Sequence, residues 1–252
     1  MFYLSLLVTT GLLTSSGFAF QSAPTQTAAA TEPPVRPAIS TLERGDIFMA
    51  RKMYREAIDV YKQAPVSALT LNKIGIAYHQ MADLDSARKY YERAIKTDPQ
   101  YAEAINNLGT IFYARKSYRR AVSEYKKALR ITPGSASAWA NLGSAYFARK
   151  NFETASDAYQ HALTLDPEVF ERHSTTGSTV QEKSIGDRAK FHYYLARTYA
   201  KAGRNADAII YIRKALEEGF KEREKFTQEP EFAGLRDDPE FKQIMATEPK
   251  IL

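Results

Sequence analysis

The sequence of 252 residues contains no cysteine. This absence excludes structural disulfides, thiolate metal sites, a cysteine nucleophile and an acylated cysteine behind a signal peptide. Histidine is also scarce, and none of the four histidines has metal-motif spacing to another. They are His79, His161, His173 and His192. We therefore expect no metal site in this protein.

Nucleotide loops and nucleophile motifs are missing as well. Gly75, Gly109 and Gly143 are each isolated, so the chain has no glycine-rich loop to hold phosphates, and no Gly-x-Ser-x-Gly elbow occurs. The acidic pair Asp237 and Asp238 precedes a proline, where a helix cap is the simpler interpretation. The sequence predicts a non-enzyme without a cofactor.

Long runs of one charge are absent too. The 35 Lys and Arg residues and 29 Asp and Glu residues are mixed along the chain and leave a formal net charge of +6. Such mixing is typical of solvated helix faces, and no basic block or stripe of basic and aromatic residues appears. We therefore expect no nucleic-acid partner.

One pattern of 34 residues occurs three times without a gap, in blocks 68–101, 102–135 and 136–169. Within each block the first four recurring residues follow the i, i+3, i+4, i+7 spacing of a helix face, and the next three follow that of a second helix. The recurring residues are Leu71, Ile74, Gly75, Tyr78, Ala87, Tyr91, Ala94 and Pro99; Ile105, Leu108, Gly109, Phe112, Ala121, Tyr125, Ala128 and Pro133; and Trp139, Leu142, Gly143, Tyr146, Ala155, Tyr159, Ala162 and Pro167.

Each block is therefore predicted to be a helical hairpin. Glycine and alanine leave room where the two helices approach, aromatic residues fill the wider gaps, and proline ends the second helix. At these eight positions the chain resembles the tetratricopeptide repeat (TPR) family. The resemblance implies an all-α fold, a TPR α-solenoid in which helical hairpins form a right-handed superhelix.

Two further hairpins are predicted beside the three regular ones. Residues 38–67 form a degenerate first repeat, in which Arg44 replaces an apolar residue before the glycine, as suits a terminal repeat that faces water. Residues 170–188 are polar and turn-prone, and we expect an inserted loop that is either a plain surface loop or a binding loop. The fifth repeat covers 189–222 and has His192 where an apolar residue is usual.

The C-terminal stretch 223–252 contains a short duplication, Glu229-Pro230-Glu231-Phe232 and Asp238-Pro239-Glu240-Phe241. An acidic cap followed by proline and glutamate signals a helix start, so we predict two short helices that cover the last hairpin. The stretch resembles the end-of-group segment that follows TPR arrays in some bacterial proteins. Gly219-Phe220 stands at the junction expected from that resemblance.

The N-terminal segment 1–23 is mostly apolar and resembles a secretory signal peptide, although no Lys or Arg precedes its apolar run. An uncleaved membrane anchor formed by residues 2–20 and a cytosolic tail remain alternatives. Residues 24–37 are rich in Pro, Ala and Thr and are predicted to be a disordered linker.

The TPR resemblance also implies where a peptide would bind. In the family, residues before the apolar-Gly pair of each first helix face a concave groove; the corresponding residues are Lys73, Asn107 and Asn141, with Tyr194 in the fifth repeat. Asn107 and Asn141 would hydrogen-bond the backbone of an extended peptide. One turn further, His79, Tyr113 and Phe147 would form an aromatic wall. Ile76 and Thr110 stand where a carboxylate clamp would need Asn, which disfavours chaperone C-termini as ligands.

These features give two hypotheses. The first is a bacterial envelope scaffold, exported to the periplasm or secreted, that binds protein or peptide partners through its groove and meets a membrane only through an uncleaved N-terminal segment. The second is an assembly or regulatory subunit of an enzyme or secretion complex, which grips its partner through the inserted loop and the C-terminal cap.

Overall fold

The computed structural model describes residues 39–170 and 187–247, and these residues form helices and turns without a strand. The all-α solenoid predicted from the sequence is confirmed. The helices are α1 (Thr41–Ala50), α2 (Tyr54–Tyr61), α3 (Ala68–Gln80), α4 (Leu84–Thr97), α5 (Ala102–Ala114), α6 (Tyr118–Ile131), α7 (Ala136–Ala148), α8 (Phe152–Leu165), α9 (Arg188–Lys201), α10 (Asn205–Glu217), α11 (Lys225–Gln228), a 3-10 helix (Pro230–Leu235) and α12 (Pro239–Ala246). The predicted signal or anchor, the linker and residues 171–186 of the insertion lie outside the described residues.

Helices pair in sequence order into five hairpins, which we call repeats 1 to 5. The second helix of each regular repeat ends two residues before its proline, as α4 ends at Thr97 before Pro99. Each second helix then packs on the first helix of the next repeat, such as α4 on α5 and α6 on α7. A continuous apolar core therefore runs through the array.

The glycine of each first helix lies against a tyrosine of its partner helix. A Cβ atom on Gly109 would lie 2.5 Å from Cε1 of Tyr125, far inside van der Waals contact. The same relationship recurs at Gly45 with Tyr61, Gly75 with Tyr91 and Gly143 with Tyr159. Repeat 5 has Ala196 and Ile212 at these two positions, so a larger residue on one helix accompanies a smaller one on the other.

The turn inside each hairpin contains one residue with left-handed backbone geometry. Gly203 holds this place in repeat 5 with φ 74°, where a residue without Cβ meets little strain. Lysine holds it in three other repeats, with φ values between 57° and 61°, at Lys52, Lys116 and Lys150. A positive charge thus stands at the tip of these turns at a conformational cost.

The C-terminal segment differs from the two helices predicted for it. The stretch after Pro230 is a 3-10 helix of six residues, and the additional short helix α11 precedes it. Six residues is long for a 3-10 helix, since runs of more than about four residues are uncommon. Phe226, Phe232 and Leu235 are completely buried, and Phe241 is nearly so, so the segment covers the last hairpin with its apolar side chains.

Candidate peptide-binding groove

The first helices of successive repeats form one layer of the array, because α3 contacts α5 and α5 contacts α7. Residues on this inner layer belong to helices that stack side by side. A side chain in one repeat can therefore reach its neighbour in the next, although about one full repeat of sequence separates the two.

Four asparagine side chains join repeats 2 to 4 across this layer. Asn107 donates from Nδ2 to Oδ1 of Asn72 at 3.0 Å, and Asn141 donates to Oδ1 of Asn106 at 3.0 Å. A longer contact of 3.5 Å runs from Nδ2 of Asn106 to Oδ1 of Asn107 and links the two pairs. We call these four residues the amide row.

The amide row is buried, and its pairs follow a simple register. Asn107 and Asn141 have no exposed surface, and Asn72 is 1% exposed. Each pair joins residues 35 positions apart, which is one repeat plus one residue. The row therefore uses two adjacent register positions, both in α5 but only one each in α3 and α7, whereas the resemblance drew attention only to the second of them. Asn72 and Asn106 were missed, and the 35-residue spacing of the four asparagines was the signal that could have revealed them.

Other residue types end the row at both sides. Lys73, which stands at the register position of Asn107, forms a 2.6 Å ion pair with Asp46 of repeat 1 and lies 5.9 Å from the ring of Tyr61. Tyr194, its counterpart in repeat 5, stacks on Phe152 at 5.1 Å between ring centroids. The inner layer therefore changes from an ion pair, through amides, to aromatic rings along the array.

The predicted aromatic wall is packed into the protein. Tyr113 and Phe147 are buried, and each lies against the first residue of its partner helix, Tyr118 or Phe152, at 5.2 Å between centroids. His79 is half-buried, and this burial lowers the pKa of its imidazole. These side chains shape the inner layer, and their contact with a peptide stays a prediction, as does that of Lys73, Asn107 and Asn141.

The carboxylate-clamp positions have no amide in these repeats. Ile76 packs in the core, and Thr110 is buried with its hydroxyl donating to the backbone carbonyl of Asn107 at 2.7 Å. Among the described residues no group of three or more His, Cys, Asp or Glu side chains is arranged to hold a metal ion.

The C-terminal segment contacts the inner layer at repeat 5. Arg197 of α9 lies 2.8 Å from Glu231 and 3.1 Å from Glu153 of repeat 4. Tyr193, one turn earlier on the same face, donates its hydroxyl to Glu229. Burial and then this hydrogen bond raise the pKa of Tyr193, which keeps its hydroxyl protonated as a donor. The segment therefore occupies this end of the inner layer.

Comparison with known families agrees with this architecture. Three tetratricopeptide repeat models match the chain, one at residues 72–136 and 179–220, one at 136–169 and one at 38–100, and together they cover more than half of its length. The chain belongs to the tetratricopeptide repeat family. TPR arrays present extended concave surfaces that bind other molecules.

Several solved TPR structures are similar to this chain. A crystal structure of MamA protein shares 22% identity, covers 75% of this chain and 93% of its own, and has a TM-score of 0.48. YrrB, described as a TPR protein with an unusual peptide-binding site, shares 21% identity over 51% of this chain and 68% of its own, at a TM-score of 0.44. The first TPR of Spaghetti (RPAP3), bound to an HSP90 peptide, shares 27% identity over 42% of this chain and 83% of its own, at 0.40.

No curated protein sequence matches the chain. Among the described helices of this TPR array, none combines the length and apolar character that crossing a membrane requires.

Proposed function

We propose that this chain is a non-enzymatic scaffold that binds an extended segment of a partner protein along the inner layer of repeats 2 to 4. The amide row carries this proposal. It places hydrogen-bonding side chains of one chemical type at regular intervals across three neighbouring helices. An amide can donate and accept at the same time, which is what each peptide unit of an extended chain requires.

The proposal assigns different roles to the two asparagines of each pair. Asn107 and Asn141 are the donors of the two 3.0 Å bonds, and family resemblance marks them as the residues that would contact the peptide backbone. Because neither has exposed surface, the peptide would have to separate the row in order to reach them. Asn72 and Asn106 accept those two bonds and would hold the donors in position, and Asn106 also donates to Asn107 at 3.5 Å. Lys73, His79, Tyr113 and Phe147 would shape the two sides of the same surface.

These roles suggest a matched pair of variants. Substitutions Asn107→Ala with Asn141→Ala remove the two 3.0 Å bonds of the row by deleting the donors, and Asn72→Ala with Asn106→Ala remove the same two bonds by deleting the acceptors. Both double variants are introduced in the native producer, and partners are identified by crosslinking and mass spectrometry of envelope fractions. We expect the donor variant to lose partners that the acceptor variant retains.

An equal loss in both variants would contradict the proposal, because it would show that the row only supports the fold. Thermal unfolding of the two variants provides the control for stability. Retention of every partner by the donor variant would contradict the proposal equally.

We also propose that the scaffold acts in the bacterial cell envelope. The apolar segment 1–23 supports export, either as a cleaved signal that releases the protein to the periplasm or medium, or as an anchor formed by residues 2–20. Fractionation with N-terminal sequencing of the mature protein tests this location. Recovery of the full-length chain in the soluble cytosol would overturn it.

A second candidate function is an assembly or regulatory subunit. The contact of Glu229 and Glu231 with the inner layer of repeat 5 favours it, because this contact brings the C-terminal segment beside the proposed groove. A partner would then touch the groove, the insertion and the cap together. Deletion of residues 171–186 should weaken partner capture, and unchanged capture would count against this candidate.

A further inference from the structure

A cluster of basic side chains lies at the hairpin turns of repeats 3 and 4, away from the amide row. Lys116, Arg119, Arg120 and Arg149, together with Ser117 and Tyr118, line a cavity of about 560 Å³. The four basic side chains are exposed, and no acidic residue lines the cavity. We call these four residues the basic turn edge.

The basic turn edge has an excess of positive charge that the described part of the chain does not neutralise. Within residues 39–170 and 187–247, no carboxylate lies within ion-pair distance of any of its four members. Two other arginines at hairpin turns behave differently, since Arg115 pairs with Asp85 at 2.6 Å and Arg204 pairs with Asp207 at 2.7 Å. The charge at this edge is therefore available to an anionic partner.

Two of these arginines stand where the helix itself disfavours them. Arg119 and Arg120 lie in the first turn of α6, beside the partial positive charge of the helix N-terminus. The second helix of every other repeat has an acidic residue in its first turn, namely Glu56, Asp85, Glu153 and Asp207. The N-cap Ser117 makes no side-chain capping bond either. The first turn of α6 in repeat 3 thus carries positive side chains although a helix N-terminus favours negative ones.

We propose that the basic turn edge binds an acidic segment of a partner protein, a run of Asp and Glu residues. Arginine side chains suit carboxylates because their planar guanidinium groups donate paired hydrogen bonds. The four basic residues lie at the hairpin turns and are not part of the amide row, so this inference goes beyond the proposed function. A scaffold with both surfaces would hold a partner at two points.

The charge distribution favours a peptide over a membrane as the anionic partner. Carboxylates bound the patch on both sides, with Asp83 and Asp85 at the turn of repeat 2 and Glu153 at the start of α8. Beside the patch an anionic bilayer plane would meet the ion pairs of Asp85 with Arg115 and of Glu153 with Arg197, which carry no net charge and add no attraction. A single extended segment can cross the edge between them.

Fluorescence anisotropy of a labelled octaglutamate peptide, titrated with the full-length protein, tests the proposal. Wild type should bind saturably, with an affinity that falls as salt is raised. Arg119→Glu with Arg120→Glu should weaken binding on the order of 10-fold, because two exposed attractions become repulsions. The double substitution also gives Ser117 a glutamate three residues later, the capping-box pattern, so the variant should unfold at an equal or higher temperature.

The matched control is Arg51→Glu with Arg55→Glu, which also reverses two exposed charges, at the hairpin turn of repeat 1. If the control weakened binding as much as Arg119→Glu with Arg120→Glu does, the proposal would be overturned, because the effect would then follow net charge alone. Failure of wild type to bind octaglutamate would also overturn it.

Vesicles of phosphatidylglycerol distinguish the other source of negative charge. If wild type cosedimented with these vesicles and Arg119→Glu with Arg120→Glu abolished the cosedimentation, the edge would bind lipid. That result would overturn the assignment to an acidic segment. The variant Asn107→Ala with Asn141→Ala should bind octaglutamate with wild-type affinity. This result would show that the basic turn edge acts independently of the groove, so either proposal can fail alone.

Discussion

Asn107 and Asn72 stand 35 residues apart in the sequence, yet their side-chain amides meet at 3.0 Å. Neither amide was part of the recurring pattern that identified the repeats. The pair forms because first helices of adjacent repeats lie side by side with a shift of one residue. The inner layer therefore contains hydrogen-bonded polar side chains in addition to the recurring apolar residues.

Asn106 is expected to be the most sensitive member of this row. It accepts from Asn141 and contacts Asn107, so Asn106→Ala leaves two buried amides with lost partners. We expect the free energy of unfolding to fall by about 1–3 kcal/mol, as measured by urea denaturation. Asn151→Ala is the control, since Asn151 is exposed and makes no capping bond, and its effect should stay within about 0.5 kcal/mol. Equal losses in both variants would contradict this role.

The glycine–tyrosine contact predicts a specific rescue. Gly109→Ala should destabilise the protein by about 1–3 kcal/mol, because its Cβ would collide with the Tyr125 ring. Tyr125→Ile alone should also destabilise, because it leaves a cavity. Together they recreate the Ala196 and Ile212 pair of repeat 5, so the double variant should be more stable than the sum of the two losses implies. A double-mutant cycle by thermal unfolding measures the coupling, and strict additivity would refute the contact.

The left-handed turn residues predict a stabilising change. Lys150→Gly should raise the free energy of unfolding by about 0.5–1 kcal/mol, because glycine adopts φ near 61° without Cβ strain. Lys126→Gly, in the middle of α6, is the contrasting variant and should destabilise by about 1 kcal/mol. Chemical denaturation compares the two. A loss of stability in both would indicate that the lysine at this turn makes a compensating contact.

The contact of Glu231 with Arg197 predicts sensitivity to acid. Burial raises the pKa of Glu231, but hydrogen bonds from its own backbone N–H and from the Arg197 side chain lower it by more than burial raises it. The pKa therefore lies below the ordinary value of 4.5. A depressed folded-state pKa adds stability above the unfolded pKa, and this stability is lost as pH falls through the folded value. The urea midpoint should therefore fall on acidification below about 4.5.

Glu231→Gln should lower the midpoint at pH 7 and flatten this acid dependence. Glu240→Gln is its control, since Glu240 and Arg213 are both more than half exposed and solvent screens their pair. If the two variants gave the same pH profile, the C-terminal segment would not depend on the Arg197 contact.

The sequence predicted the hairpins because their packing residues recur every 34 positions. Gly75, Tyr91 and Pro99 each have a local or repeated role, so their pattern alone was sufficient. The amide row was only half visible, because its pairing depends on how two repeats stack. Family resemblance marked Asn107 and Asn141, whereas Asn72 and Asn106 are marked only by a 35-residue spacing, whose meaning becomes clear once the repeats are seen to stack.

Other features depend on distances that the sequence does not show. The charges looked evenly mixed along the chain, but the fold brings Arg119 and Arg149 to one cavity from adjacent repeats. The C-terminal duplication was visible as two helix starts. Its contact with Tyr193 and Arg197 was not, because these residues precede it by 34 to 36 positions and lie on another face.

The C-terminal segment limits the length of the proposed groove. Because Glu229 and Glu231 already occupy the inner layer at repeat 5, a partner segment has the layer of repeats 2 to 4 to follow. Three adjacent helices span about 20–30 Å, and an extended chain advances about 3.3 Å per residue. The groove would thus accommodate roughly six to nine residues of an extended partner segment.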